Sequence, residues 1–410
     1  MSVIKISKAG QAASAALKIT GSKSISNRAL LIRALSGNHF KIDNLSQSDD
    51  TKVLSECLAS QDRMIHDVHH AGTSFRFLTA FLSLKTGEHI LTGSDRMKER
   101  PIGPLVDALR TIGADIQYLE KEAYPPLKIS SFKKQLTNQI TIKADISSQF
   151  ISALCMIAPV LPQGLSIQFE GKLVSRPYLD MTLKMMSSFG IKSNWEQDTI
   201  HIESQTYQGH NYTVESDWSS ASYLLALVAM QENTSLDLSY FVDESLQGDR
   251  KILELIAQMG LEYKFNDGHL SIKSRDSKTK EIEYDFIEQP DMFQTISVLA
   301  AAKNIALKAR GLKTLRIKET DRISALQTEL QKIGVQLKVH SEGAWEITQS
   351  GIISVNQPTY DTYKDHRMAM CLALTACIAP VYIRNPEVVS KSYPNFWEDM
   401  GTLGFVIEQV

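Results

Sequence analysis

Two kinds of apolar pattern alternate along the chain, and both have helical spacing. In the first, apolar residues recur three and four positions apart on one face, and the run closes on a glycine before a short alternating stretch. It occurs as PIGPLVDALRTIG-ADIQYL, PYLDMTLKMMSSFG-IKSNW, DRKILELIAQMG-LEYKF, DRISALQTELQKIG-VQLKV and YPNFWEDMGTLG-FVIEQV. The closing glycines, Gly113, Gly190, Gly260, Gly334 and Gly404, recur roughly every 70 to 77 residues, as helix ends in the left-handed conformation would in a repeat. SDDTKVLSECLASQDRMI reads as a sixth copy without the glycine, followed by a short connection.

The second pattern is apolar around most of its circumference and polar only at its start, which predicts buried helices. Its examples are SKSISNRALLIRAL, AGTSFRFLTAFLSL, SSQFISALCMIAPVL, SSASYLLALVAM, PDMFQTISVLAAA and DHRMAMCLALTACIA, opening near Ser22, Gly72, Ser147, Ser219, Pro290 and His366. Small, hydroxyl or acidic residues at those starts suit capping of free backbone N–H groups. Two helices per unit, with short strands such as SIQFE and TIHIES between them, predict six αβ units, three to a domain. Chain symmetry puts the boundary around Tyr212 to Asp217.

Size agrees with two domains: 410 residues exceed one ordinary core. Hydrophobic residues make up 43% and charged residues 22%, a globular balance that fills large cores without staples. The net charge of −2 gives no global attraction to nucleic acid or anionic membrane, so any basic site must be local. Cys57, Cys155, Cys371 and Cys377 sit in or beside apolar helical runs with no CxxC pair, which argues against a zinc site or disulfide framework and fits a reducing cytosol. MSVIKISKAG does not read as a targeting segment. The longest apolar stretch, Ile151 to Leu161, is about half of the ~20 residues that span a bilayer.

Candidate chemistry gathers at the helix starts, where free N–H groups and partial positive charge favour anions. Cations lie at or near them: Lys23 and Arg28 in GSKSISNR, Arg76 in AGTSFR, and Arg367 in KDHRMAM. Others follow in SDRMKERP (Arg96, Lys98, Arg100), in RIKETDR (Lys318, Arg322), and in VSKSYP (Lys391). Any one of these is more often a solvated surface charge; their placement at equivalent points of the repeat is what predicts an anion site. TGSKS is not a phosphate-cradling nucleotide loop, because Ser22 stands where that motif requires glycine. His66, His69 and His70 lie in the short stretch after the sixth copy and read as incidental loop residues, while His366 is expected to order Arg367 or cap its helix.

GSKSISNRALL, AGTSFR, DRMKERPIGPLVDALR, SSQFISALCM, LVSRPYLDMTL, SDWSSASYLLA, RIKETDRISALQTEL and YKDHRMAMCLAL resemble, in order and over nearly the whole chain, the motifs of the 5-enolpyruvylshikimate-3-phosphate synthase family of enolpyruvyl transferases. The resemblance implies an α/β enolpyruvyl-transferase-like fold of two domains, each of three βαβαββ repeats with buried parallel helices, joined by two chain crossings around a ligand cleft. Such a cleft is expected to close on binding, since only closure brings both lobes' charges onto one ligand. The domains would be residues 1–20 with 215–410, and 21–214. It also implies a shikimate-pathway reaction of aromatic amino-acid biosynthesis, in which shikimate 3-phosphate and phosphoenolpyruvate give 5-enolpyruvylshikimate 3-phosphate and phosphate. By this pattern Lys23, Gly72, Arg96, Gln149, Arg322, Arg367 and Lys391 would hold phosphoenolpyruvate. Ser24, Arg28, Ser147, Ser148, Gln149, Ser175, Asp291, Thr314 and Lys318 would hold shikimate 3-phosphate, and Asp291 and Glu319 would move protons.

Those residue types suit the chemistry. Each substrate carries a carboxylate and a phosphate, so fixed cations must offset their mutual repulsion. Arginine forks bind both oxygens of such groups. Addition followed by elimination needs one group to accept a proton and another to donate one, and no redox cofactor or metal. Asp291 is read as the opening of a buried helix whose dipole favours its ionised form. A monomeric, cytoplasmic enzyme with small-molecule substrates, and with no nucleic-acid or membrane partner, is expected.

The chain departs from the family pattern in places. His70 stands where asparagine usually precedes Ala-Gly-Thr, and Thr314 stands where asparagine often touches the shikimate phosphate. Asp95 and Phe77 replace prolines, and the first repeat is short. Two other readings stand beside the main one. UDP-N-acetylglucosamine enolpyruvyl transferases share the fold, but TGSDRMKERP lacks the cysteine usual in their loop. A non-catalytic anion-binding repeat protein would have no need of both Asp291 and Glu319.

Overall fold

The structure is a computed structural model describing residues 2–410 apart from 11–13, 61–62, 131, 144–146, 172, 174, 342–343 and 348–356. The chain divides into an inserted unit, Gly21–Val214, and a discontinuous unit, Met1–Thr20 with Glu215–Val410.

Both units are built from one α/β module. In the inserted unit, Ile65–Asp67 runs parallel to Glu88–Thr92, which is antiparallel to Leu127–Ser130, itself antiparallel to Asp115–Tyr118. Helices Gly72–Leu82 and Gly103–Ile112 make the connections, giving strand, helix, strand, helix, two strands. The same order recurs in Gln139–Lys143, Leu165–Glu170, Asn194–Glu196 and Thr199–Ile202, with helices Ser148–Ile157 and Arg176–Ser188. The third copy is the short one. Helices Lys23–Ser36 and Asp49–Ala59 are present, but its described ladder is only Ile42–Asp43 parallel to Tyr212–Thr213.

The discontinuous unit repeats the module three times. Its sheets are Ala15–Leu17 with Ser235–Ser239, His269–Ser274 and Leu261–Asn266; then Glu281–Asp285 with Ala306–Arg310, Ala344–Ile347 and Leu337–Ser341; then Thr359–Tyr360 with Val381–Arg384, Val3–Lys8 and Phe405–Gln409. Two opening strands are exchanged in the process. Ala15–Leu17 leads toward helix Lys23–Ser36 but pairs with Ser235–Ser239, which follows helix Trp218–Met230. Tyr212–Thr213 leads toward Trp218–Met230 but pairs with Ile42–Asp43.

The six apolar helices are buried as their pattern requires. Trp218–Met230 hides every residue except Ser219 and Met230. Capping follows the sequence at four starts: Ser22, Ser147, Asp217 and Asp365 each accept a backbone N–H with the side chain. Helix Gly72–Leu82 has no side-chain cap, and Phe293–Ala302 is entered through a 3-10 turn, Pro290–Met292. Asp291 lies in that turn, two residues before the helix begins, and so does not open the helix as its sequence reading had it. The cap before His366 is Asp365, so His366 is the first helical residue instead.

All five repeat glycines have positive φ, from 83° to 125°. Gly113 shows why other residues are poor there: at φ +120 an added Cβ would lie 2.4 Å from the Lys134 carbonyl oxygen, which is fixed backbone. Gly113→Ala should therefore lower unfolding free energy by about 2 kcal/mol or more in urea titration. Gly268→Ala, at φ +79 with open space around it, should cost only about 1 kcal/mol.

Candidate active site

In the discontinuous unit the chemistry converges on Arg322, which opens helix Arg322–Gln331 after the cap Asp321. The side chain is 1% exposed. Its Nε donates to Asp365 Oδ2 at 2.7 Å, one terminal nitrogen to Asp291 Oδ1 at 2.7 Å, and the other to Glu319 Oε2 at 2.8 Å and Asp365 Oδ1 at 3.4 Å. Four hydrogen bonds thus tie one guanidinium to three carboxylates.

Further cations complete the cluster. Lys391 Nζ, 5% exposed, donates to Glu319 Oε1 at 2.7 Å. Lys318 Nζ lies 3.4 Å from Asp291 Oδ1, and Arg367 reaches Asp291 Oδ2 at 3.3 Å. Burial opposes ionisation of Asp291, but Lys318, Arg367 and Arg322 outweigh it and hold the carboxyl well below the usual range. Arg367 also donates to Ser219 Oγ at 3.2 Å, and Ser219 donates in turn to Asp249. Burial pushes Asp249 up to about 6, against the pull of Ser219 and Arg367. Thr314 sits in the 3-10 turn Lys313–Ile317, and its buried hydroxyl has no hydrogen-bond partner among the described residues.

The inserted unit solves the opposite problem. Arg28 is 2% exposed, yet its partners are neutral. Nε donates to Thr182 Oγ1 at 2.7 Å, and the terminal nitrogens donate to the Ser24 carbonyl at 2.9 Å, the Tyr178 carbonyl at 3.2 Å and Ser152 Oγ at 3.3 Å. Among the described residues no carboxylate pairs with it. Burial pulls it down to about 10, still protonated at neutral pH.

Three helix starts meet around this cation. Ser24 is on helix Lys23–Ser36, Ser152 lies one turn beyond Ser148, and Tyr178 follows Ser175, which enters helix Arg176–Ser188 at φ 54°. A fourth helix joins them, because Gln149 Nε2 donates to Thr73 Oγ1 at 3.0 Å and Arg28 lies over the Phe77 ring. Ser147 caps its helix by accepting from Gln149 N at 3.3 Å. Lys23 Nζ is 3.5 Å from Asp50 Oδ2. A Cβ on Gly72 would lie 2.5 Å from Arg100 and 2.7 Å from Arg76, so Gly72 opens its helix against two guanidinium groups.

The sequence-derived residues thus fall into two sets, one in each unit. Arg96 is half-exposed, its side chain 49% accessible, and is ion-paired with Glu99 at 2.6 Å. Val174, inside LVSRPYLDMTL, lies outside the described residues. His66 differs from its loop reading. It is buried in strand Ile65–Asp67, and its Nε2 lies 3.3 Å from His89 Nδ1. Sequence reasoning named Ser219 only as a helix start and passed over Asp365, Ser152, Thr182 and Asp249. The first three of these lie inside the quoted motifs, whereas nothing local marks Asp249. Among the described residues no group of three or more His, Cys, Asp or Glu side chains is placed to hold a metal ion.

Comparison with known proteins places this geometry. The family model described as EPSP synthase (3-phosphoshikimate 1-carboxyvinyltransferase) matches residues 7–61 and 58–400. The chain is 41% identical over 397 residues to a 3-phosphoshikimate 1-carboxyvinyltransferase of Bacteroides fragilis, covering 96% of each. It is 38% identical over 416 residues to one of Photobacterium profundum, covering 94% of this chain and 96% of that one. A solved EPSP synthase of Acinetobacter baumannii has the same fold, with a TM-score of 0.81 at 21% identity and complete coverage of both chains. The chain belongs to the EPSP synthase family.

Proposed function

We propose that this chain transfers the enolpyruvyl group of phosphoenolpyruvate to the 5-hydroxyl of shikimate 3-phosphate and releases phosphate, as a monomer in the cytoplasm. The observation that carries the reading is Asp291, a carboxylate tied to Lys318, Arg322 and Arg367 beside Glu319. A carboxylate so stabilised is a weak base. Substrate anions that draw those cations away raise its proton affinity, so the base gains strength only when substrate is bound.

Arg28, with Ser24, Ser147, Ser148, Gln149, Ser175, Thr314 and Lys318, receives shikimate 3-phosphate. Lys23, Gly72, Arg96, Gln149, Arg322, Arg367 and Lys391 receive phosphoenolpyruvate. Asp291 takes the proton from the attacking hydroxyl as its oxygen bonds to C2 of the enol, while C3 is protonated from the Glu319–Lys391 side. The tetrahedral adduct then returns a proton from its C3 methyl to that same side and expels phosphate as the C2–O bond to it breaks, restoring the double bond. Residues set in place beforehand by hydrogen bonds supply orientation as well as charge.

Phosphate release by the purified protein should require both substrates, and UDP-N-acetylglucosamine should not replace shikimate 3-phosphate; release with the sugar nucleotide instead would overturn the assignment. Asp291→Asn should lower kcat by about 10²- to 10⁴-fold, the usual range for a lost general base. Circular dichroism should show its fold retained. Arg28→Gln should raise KM for shikimate 3-phosphate by roughly tenfold or more, with a smaller change for phosphoenolpyruvate, as loss of one charge-assisted contact predicts.

A further inference from the structure

Helix Arg322–Gln331 holds a second buried ion, away from the cluster just described. Glu329 is 0% exposed. Its Oε2 accepts from Lys332 Nζ at 2.7 Å and from the Asp361 backbone N–H at 3.1 Å, and its Oε1 accepts from the Tyr363 hydroxyl at 2.7 Å. Lys332 also donates to the Thr359 carbonyl at 2.8 Å. Each of these bonds, apart from the local one to Lys332, ends on the segment Thr359–Tyr363, directly before Asp365 and Arg367.

That segment is strained. Tyr363 and Lys364 both take left-handed backbone angles, φ 54° and 55°. Neither residue favours the conformation, and two in succession persist only where the surroundings impose them. The Asp365 N–H then closes the turn on the Thr362 carbonyl at 2.8 Å. Asp365 caps the next helix through the Arg367 N–H at 2.9 Å and receives Arg322 at 2.7 Å.

Arg322 and Glu329 are seven positions, about two turns or ~10 Å, apart on one helix. One rigid element therefore grips the strained turn at both ends: Glu329 holds Asp361 and Tyr363, and Arg322 holds Asp365. We propose that Glu329 is a positioning residue, acting through Tyr363 to keep the left-handed turn in register so that Asp365 is presented to Arg322 and Arg367 to Asp291. A fully buried carboxylate with this many donors directed at one turn exceeds what packing of that helix requires. The inference rests on the enolpyruvyl-transfer reading, since Arg367 is assigned there to phosphoenolpyruvate.

Tyr363→Phe tests it with little disturbance, because the ring is 37% exposed and only the hydroxyl is lost. The variant should fold, and kcat/KM for phosphoenolpyruvate should fall by roughly tenfold, the order expected for one hydrogen bond to a charged group. KM for shikimate 3-phosphate should hardly change. Adding Lys364→Gly, which relieves the left-handed strain without the contact, should recover most of that loss. A folded Tyr363→Phe enzyme with wild-type constants for both substrates would overturn the proposal, and so would a loss that glycine at 364 does not recover. Wild-type protein inactive with both substrates would instead refute the reaction assignment itself.

Discussion

The discontinuous unit depends on one guanidinium. Arg322 draws Asp291, Glu319 and Asp365 together from three separate segments: a 3-10 turn, the loop before its own helix, and the cap of another helix. Three carboxylates in so small a buried volume repel one another strongly, and removing the cation between them would cost about 3–5 kcal/mol. The remaining positive charge of Lys318, Arg367 and Lys391 is already directed at Asp291 and Glu319. This cluster is no open reservoir of positive charge. An anion entering it must compete with carboxylates for the same donors.

Arg28 shows the contrasting design. Its hydrogen bonds end on hydroxyls and carbonyls, which orient the guanidinium without neutralising it. A buried cation in that state is costly, and burial accordingly pulls its pKa down to about 10. A phosphate arriving there displaces no carboxylate and gains the full attraction. The two units thus differ in what an anion must do on arrival, although one module builds both.

The module was legible because backbone geometry constrains residue identity. Five positions with positive φ keep glycine, and four helix starts keep a side-chain acceptor, so both signals survive in the sequence. Ionic partners leave no such trace. The sequence reading took Arg322 and Arg367 as cations available to substrate, but their pairing with Asp365, Asp291 and Glu319 spans contacts up to 76 positions apart. His66 was read as loop because its strand is three residues long, too short for any periodicity to show. The discontinuous bounds implied by the resemblance already place a crossing at each boundary, but the exchanged partners of Ala15–Leu17 and Tyr212–Thr213 were hidden, since each strand pairs far from its chain neighbours.

That exchange explains why the helix starts can be placed accurately at all. Within the discontinuous unit, the Asp217 N–H donates to the Thr20 carbonyl at 3.1 Å and Ser216 Oγ to the Ile19 carbonyl at 3.0 Å, binding the two crossing strands side by side. Within the inserted unit, the Val214 N–H donates to the Asp43 carbonyl at 2.9 Å and Asn44 Nδ2 to the Val214 carbonyl at 2.9 Å. Gly21 passes so close to Asn44 that a Cβ would lie 1.7 Å from its carbonyl oxygen, which leaves room for glycine alone. Lys23 and Ser24 begin immediately after one crossing, and Ser219 immediately after the other. Each crossing strand is thus tied by hydrogen bonds within its own unit. The polar start of each following helix is therefore held within its own unit by the strand that leads into it.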